Sequence, residues 1–165
     1  MVSAAPAEFL DLLRARGLTL GIAESLTGGA LSAALVAVPG ASDVLRGAVV
    51  AYATPVKHSL LGVDERLLAE NGAVDPEVAR QMARGVRSAL SVAGSPADVG
   101  ISTTGVAGPA PQDGKPVGTV HIGISWGDAV TSRAFRFDGD RSEIRAATVR
   151  AALSLAVELI SVTAE

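Results

Sequence analysis

The chain has 165 residues, 48% hydrophobic, 19% charged and 3% aromatic, enough apolar material for one α/β-sized core and too much for a disordered segment. With 14 basic against 17 acidic residues the formal charge is -3, which argues against a general nucleic-acid or anionic-membrane surface. The absence of cysteine excludes a disulfide framework, a thiolate metal site and a thiol nucleophile, and fits a reducing cytoplasm.

Pro6 to Arg16 places Phe9, Leu10, Leu12 and Leu13 among charged residues and reads as a short amphipathic helix ended by Gly17. Leu18 to Ala23 reads as a buried strand, broken by Glu24-Ser25-Leu26-Thr27-Gly28-Gly29, and Ala30 to Val38 as a helix stopped by Pro39-Gly40. Leu45 to Ala53 is a second strand closed by Thr54-Pro55. A helical turn around Val56 to Leu61 and a short helix over Asp64 to Asn71 follow. From Pro76 to Ala93, Val78, Met82, Val86 and Leu90 recur at every fourth position, with Asp75 as N-cap and Pro76 at the first helical position. Val99 to Thr103 is a third strand. Thr119 to Trp126 and Ala129 to Phe137 form a hairpin around Gly127-Asp128, and Asp140 with Glu143 opens a last helix running through Leu159. This order predicts one domain over 1–165, a three-layer α/β/α sandwich with a mixed central sheet. Met1 to Leu13 lacks the pattern of a signal peptide, and no apolar stretch approaches the roughly 20 residues of a membrane span.

Of the 14 basic residues 12 are arginine, and only Lys57 and Lys115 are lysine. Arginine stays protonated in proteins, whereas a buried lysine can be driven toward neutrality and act as a base, so both lysines are candidates. Ser25 sits where a strand gives way to a helix, and the amides of Thr27-Gly28-Gly29 can face an oxyanion or a phosphate; simple capping by Ser25 or Thr27 is the alternative. Lys57 follows a strand end and a proline turn, five residues after Tyr52, the only tyrosine. Serine paired with lysine is a recognised alternative to the histidine triad, and a solvated surface lysine is the competing reading. The loop from Thr104 and Gly105 to Pro109 also leaves a strand end, where ligands of α/β sheets bind. Lys115-Pro116-Val117-Gly118-Thr119 either closes the site or opens a hairpin. Arg141 and Arg145 share a helical face at i, i+4; Arg141 can clamp a phosphate, and Arg145 reads as a solvated residue. His58 and His121 have no carboxylate spacing that makes a metal site, so no metal is expected.

Ala23-Glu24-Ser25-Leu26-Thr27-Gly28-Gly29, Tyr52 to Lys57 with Leu61-Gly62-Val63, Thr104-Gly105-Val106-Ala107-Gly108-Pro109, Lys115-Pro116-Val117-Gly118-Thr119 and Gly139-Asp140-Arg141 closely resemble, in order and spacing, the CinA C-terminal domain family. The resemblance implies a nicotinamide-nucleotide amidohydrolase that converts nicotinamide mononucleotide to nicotinic acid mononucleotide and ammonia in pyridine nucleotide salvage. It makes Ser25 the nucleophile, Lys57 its general base and Tyr52 a hydroxyl that orients or relays the proton. Thr27, Gly28, Gly29, Thr104, Gly105 and Arg141 become substrate-binding residues, with no cofactor. The expected partner is a small nucleotide, without nucleic acid or membrane. Further expectations are a cytoplasmic homo-oligomer of the stand-alone form and a separate pyrophosphatase partner.

Overall fold

In a computed structural model, residues 5–162 are described; Met1 to Ala4, the start of the stretch read above for a signal peptide, fall outside them. In chain order the elements are α1 (Pro6–Ala15), β1 (Leu20–Glu24), α2 (Ala30–Val36), a 3-10 turn (Ala41–Asp43), β2 (Leu45–Val50), α3 (Thr54–Leu61), α4 (Glu65–Asn71), α5 (Pro76–Ala89), β3 (Val99–Gly105), β4 (Thr119–Trp126), β5 (Ala129–Arg136) and α6 (Arg141–Val162). The five strands form one sheet in the order β2-β1-β3-β4-β5. Strands β2, β1 and β3 run parallel, and β4 and β5 add antiparallel. Helices α1, α2 and α6 cover one face, and α5 with α3 and α4 the other, which is the predicted three-layer sandwich. None of the described helices is long and apolar enough to cross a membrane.

Several boundaries differ from the sequence reading. Strand β1 starts at Leu20, because the Leu18 amide bonds back to Leu13 and Thr19 is held by Asp98. Helix α5 stops at Ala89, short of Ala93: Leu90 leaves helical geometry and lies over Gly21 and Gly47, while Val92 and Ser95 exchange backbone hydrogen bonds in a tight turn. Strand β2 ends at Val50, and the backbone then bends into α3, whose Pro55 suits the first turn. The helix caps follow the sequence closely. Asp75 accepts from the amides of Glu77 and Val78, and Asp140 and Glu143 exchange bonds in a capping box.

Strand alternation divides the sheet into unlike faces. Leu20, Ile22, Val99, Ile101, Val120, Ile122 and Ile124 pack with α1, α2 and α6 into the larger core. The opposite face carries Gly21, Gly100, Ser102, Gly123 and Ser125, so the α5 backbone lies almost directly on the strands. A Cβ at Gly100 would stand 1.9 Å from the Ala83 carbonyl oxygen, and one at Gly123 2.2 Å from that of Ala79. Ser102 Oγ donates to the Ala79 carbonyl at 2.6 Å. Gly100→Ala therefore forces α5 off the sheet and is expected to lower stability by about 3 kcal/mol, the upper range for overpacking. Gly17→Ala meets open space but a φ of +64°, and should lose only about 1 kcal/mol. Urea unfolding of the two variants checks the ranking.

Candidate active site

The chain runs from β1 through α2 to β2 on one side, then through α3, α4 and α5 to β3 on the other, with α2 and α5 on opposite faces. The crevice beyond the carboxyl ends of β1 and β3 is thus a topological switch point, the usual ligand position in such sheets. A cleft of about 350 Å³ opens there. Glu24, Ser25 and Thr104 lie at or just beyond these strand ends, and Ala51 and Tyr52 just beyond that of β2.

Glu24 ends β1 fully buried, and its carboxylate accepts from the amides of Leu31 at 2.8 Å and Ser32 at 3.1 Å and from Ser32 Oγ at 2.8 Å. This side chain caps α2 from the preceding strand. The next residue, Ser25, is buried, with its amide donating to the Thr103 carbonyl at 3.0 Å and its carbonyl accepting from Gly28 at 3.1 Å. Its Oγ lies 2.9 Å from Lys57 Nζ.

Lys57, on α3, is fully buried. Besides Ser25 it meets two backbone carbonyls, Ala51 at 2.7 Å and Tyr52 at 3.4 Å. As an ammonium it donates to all three oxygens. As a neutral amine it keeps two N–H groups for the carbonyls and turns its lone pair toward the Ser25 hydroxyl. Burial disfavours the charged form and lowers its pKa from 10.5 to about 8. Geometry and acidity both fit a base aimed at Ser25.

The remaining predicted residues divide between the cleft and its supports. Tyr52, Thr104, Gly105 and Arg141 line the cleft with Ser25 and Lys57. The Tyr52 side chain is 58% exposed. Its hydroxyl accepts from Arg141 at 2.8 Å, and Arg141 also donates to the Gly108 carbonyl at 2.6 Å. What reaches Lys57 is the Tyr52 backbone carbonyl, while its hydroxyl is strapped to Arg141. Thr104 donates its hydroxyl to the Ala73 carbonyl at 2.6 Å and so fixes the wall opposite.

Thr27, Gly28 and Gly29 do not line the cleft. Thr27 is buried with its hydroxyl 2.8 Å from that of Thr103, Gly28 donates to Ser25, and the first free amides of α2 are taken by Glu24. The Leu31 and Ser32 amides at the start of α2 are therefore already occupied by a carboxylate, and of the three amides expected to face an anion that of Gly28 is taken by the Ser25 carbonyl. Lys115 lies outside the cleft and donates to the Asn71 carbonyl. Arg145 is half-buried and donates to the Leu26 and Thr27 carbonyls, in contrast to the solvated role expected. His58 Nδ1 lies 2.7 Å from the Val63 carbonyl.

Sequence reasoning passed over Glu24, although a carboxylate closing an all-buried strand beside a serine was a visible signal. It also passed over the Leu26 amide, which among the described residues has no protein acceptor and follows the serine directly.

The family model described as the CinA C-terminal domain matches residues 3–160. The chain belongs to that family. A CinA-like protein of Frankia casuarinae is 51% identical over 152 residues, spanning 92% of this chain but 34% of its own length. A putative competence-damage inducible protein of Desulforamulus reducens is 48% identical over 85% of this chain and 33% of its own. The present chain thus spans about a third of the curated relatives it matches. Among solved structures, the competence/damage inducible protein CihA from Agrobacterium tumefaciens superposes with a TM-score of 0.86 at 35% identity, covering 94% of this chain and 93% of that one. A CinA superfamily protein from Klebsiella pneumoniae gives a TM-score of 0.89 at 31% identity, with 95% and 96% coverage.

Burial of Lys57 in this CinA domain has a thermodynamic consequence. Between pH 8 and 10.5 the unfolded chain keeps a lysine proton that the folded chain has lost, so folded stability rises with pH across that window. Below pH 8 both states hold the proton and the contribution is flat. The stability of the wild type relative to Lys57→Met should therefore increase by about 2–3 kcal/mol from pH 8 to above 10, at roughly 1.4 kcal/mol per pKa unit. Urea unfolding at several pH values measures this, and a pH-independent difference would mean that the amine is solvated.

Proposed function

We propose that this CinA domain is an amidohydrolase that deamidates nicotinamide mononucleotide to nicotinic acid mononucleotide and ammonia, with Ser25 as nucleophile and Lys57 as base. The observation that carries the reading is a buried amine 2.9 Å from a serine hydroxyl, with its other contacts made to backbone carbonyls. Family membership and the charge of the cleft add support. Lys57 and Arg141 are the charged side chains among the described residues lining it, so the cleft favours an anionic substrate. Arg141, near the surface, suits the phosphate, and Ser25, at the floor, suits the carboxamide.

The chemistry follows from the hydrogen bonds. Neutral Lys57 takes the Ser25 proton as Oγ attacks the amide carbon, and the ammonium that forms already faces the Ala51 and Tyr52 carbonyls. The Leu26 amide follows the serine directly, has no acceptor among the described residues and serves the developing oxyanion. Collapse of the tetrahedral intermediate breaks the C–N bond, and Lys57 returns its proton to the departing nitrogen, which leaves as ammonia. Water then attacks the acyl-serine, with Lys57 again taking the proton and passing it to Ser25 Oγ as the acyl C–O bond breaks, and nicotinic acid mononucleotide is released. Tyr52 contributes its carbonyl to the lysine socket, and its hydroxyl orients Arg141.

Ammonia release from nicotinamide mononucleotide, with nicotinamide riboside and nicotinamide as controls, tests the substrate. Ser25→Ala and Lys57→Arg should each fold and lose at least about 1,000-fold in kcat, since guanidinium cannot accept the proton. Lys115→Arg should stay near wild type. Arg141→Ala should raise KM more than it lowers kcat. Activity should rise with pH below about 8 and level off above it, following the lowered lysine pKa. Full turnover by Lys57→Arg at neutral pH would overturn the mechanism.

A further inference from the structure

Four consecutive peptide units shape the turn at Ser25, and they are held by different means. The Glu24-Ser25 unit is pinned by both neighbouring strand ends: the Glu24 carbonyl accepts from Ala51 at 2.9 Å, and the Ser25 amide donates to Thr103 at 3.0 Å. The Ser25-Leu26 unit has its carbonyl held by Gly28 and presents the Leu26 amide without a protein acceptor. The next two units make no backbone hydrogen bond to the sheet, which Thr27 reaches only through its hydroxyl on Thr103. Their carbonyls, Leu26 and Thr27, are both bound by one side chain, with Arg145 Nε at 2.9 Å and Nη2 at 2.8 Å, and the Thr27 carbonyl accepts in addition from the Ala30 amide at 3.0 Å. Gly28, at φ +59°, lies under this guanidinium, and a Cβ there would stand 3.6 Å from Nη2.

From this arrangement we infer that Arg145 is a positioning residue for the oxyanion-binding amide of Leu26. It reaches from α6, 119 residues away in sequence, and does not line the cleft. Two parallel donors of one rigid guanidinium fix the orientation of two successive carbonyls, a geometry that a lysine ammonium cannot match. With those peptide planes set and the Ser25 carbonyl held by Gly28, the turn has no freedom left to swing the Leu26 N–H away. A donor fixed before the reaction needs no reorganisation as negative charge develops, which is why such groups act mainly on kcat. Lys57 lies in a separate socket, and its lowered pKa comes from burial alone, so loss of Arg145 leaves the base's acidity in place.

The inference rests on the amidase reading for its substrate but not for its test. A fluorophosphonate probe reacts with an activated serine irrespective of substrate: Ser25 Oγ bonds to phosphorus, fluoride leaves, and the proton passes to Lys57 while the phosphoryl oxygen occupies the oxyanion site. Labelling rates by intact mass, ammonia release from nicotinamide mononucleotide and thermal unfolding are measured for the wild type, Arg145→Ala, Arg145→Lys and Arg150→Ala. Arg145→Ala should label at least about tenfold more slowly and lose a similar factor in kcat, with KM within about twofold and the inflection of the pH profile unmoved. Methylguanidinium should restore part of both rates. Arg145→Lys should be intermediate, and it carries the test if the alanine variant does not fold. Arg150→Ala, on the same helix, should match the wild type. Wild-type labelling by a folded Arg145→Ala, a loss in that folded variant that methylguanidinium does not restore, or, where the alanine variant does not fold, wild-type labelling by Arg145→Lys, overturns the inference. A wild type that labels but releases no ammonia refutes the amidase reading and leaves Arg145 to be judged on labelling. A wild type that does not label refutes both.

Discussion

An amine stripped of water and given no carboxylate in return governs the organisation of this protein around its cleft. The charged form of Lys57 is disfavoured by burial, and its surroundings compensate only with carbonyls and a hydroxyl. Those acceptors exist because β2 ends one residue before Ala51 and the chain bends sharply into α3. The helix then returns the lysine to the carbonyls it has just passed. Ser25 meets the same amine because β1 lies between β2 and β3 and ends at the same level. The socket is therefore a property of three parallel strand ends and one following helix, and no single loop could supply it.

Opposite charges outside the cleft complete the turn at Ser25. Glu24 accepts from the amides that begin α2, and Arg145 donates to the carbonyls that precede it. An acidic and a basic side chain thus satisfy the two polarities of the same short backbone segment, from opposite sides and without meeting each other in a salt bridge. Orphaned peptide groups are costly when buried, so both residues have a structural reason to be present in addition to any chemical one.

Much of the fold was legible because the local signals agreed with the tertiary result. The fourfold spacing of Val78, Met82 and Val86, the cap at Asp75 and the capping box at Asp140 each mark elements that the structure contains. The scarcity of lysine pointed to Lys57, which lies buried against Ser25. Legibility failed where a residue's function depends on distant partners. Arg145 looks like any surface arginine until α6 is laid beside the turn at Leu26. Thr27, Gly28 and Gly29 have the composition of an anion site, yet a carboxylate from the previous strand occupies the helix start they would have offered. Leu90 continues a helical period that two strand glycines interrupt by drawing its side chain onto the sheet. In each case the deciding contact spans tens of residues, and spacing within a window cannot report it.

The direct seating of α5 on glycine and serine positions of the sheet also divides the molecule into parts that tolerate change unequally. One wall of the cleft, through Ala73, Val74 and Thr104, is tied to this seating, so even a methyl group on Gly100 or Gly123 would propagate toward Ser25. The rim carrying Ala110 and Gln112 runs into a tight turn whose base leans on the segment before that wall, Lys115 on the Asn71 carbonyl and Asp113 against Gly72, while its tip at Gly114 has open space around it. Change is therefore easiest at the tip of that turn, and every alteration nearer its base must still fit the segment that α5 holds in place.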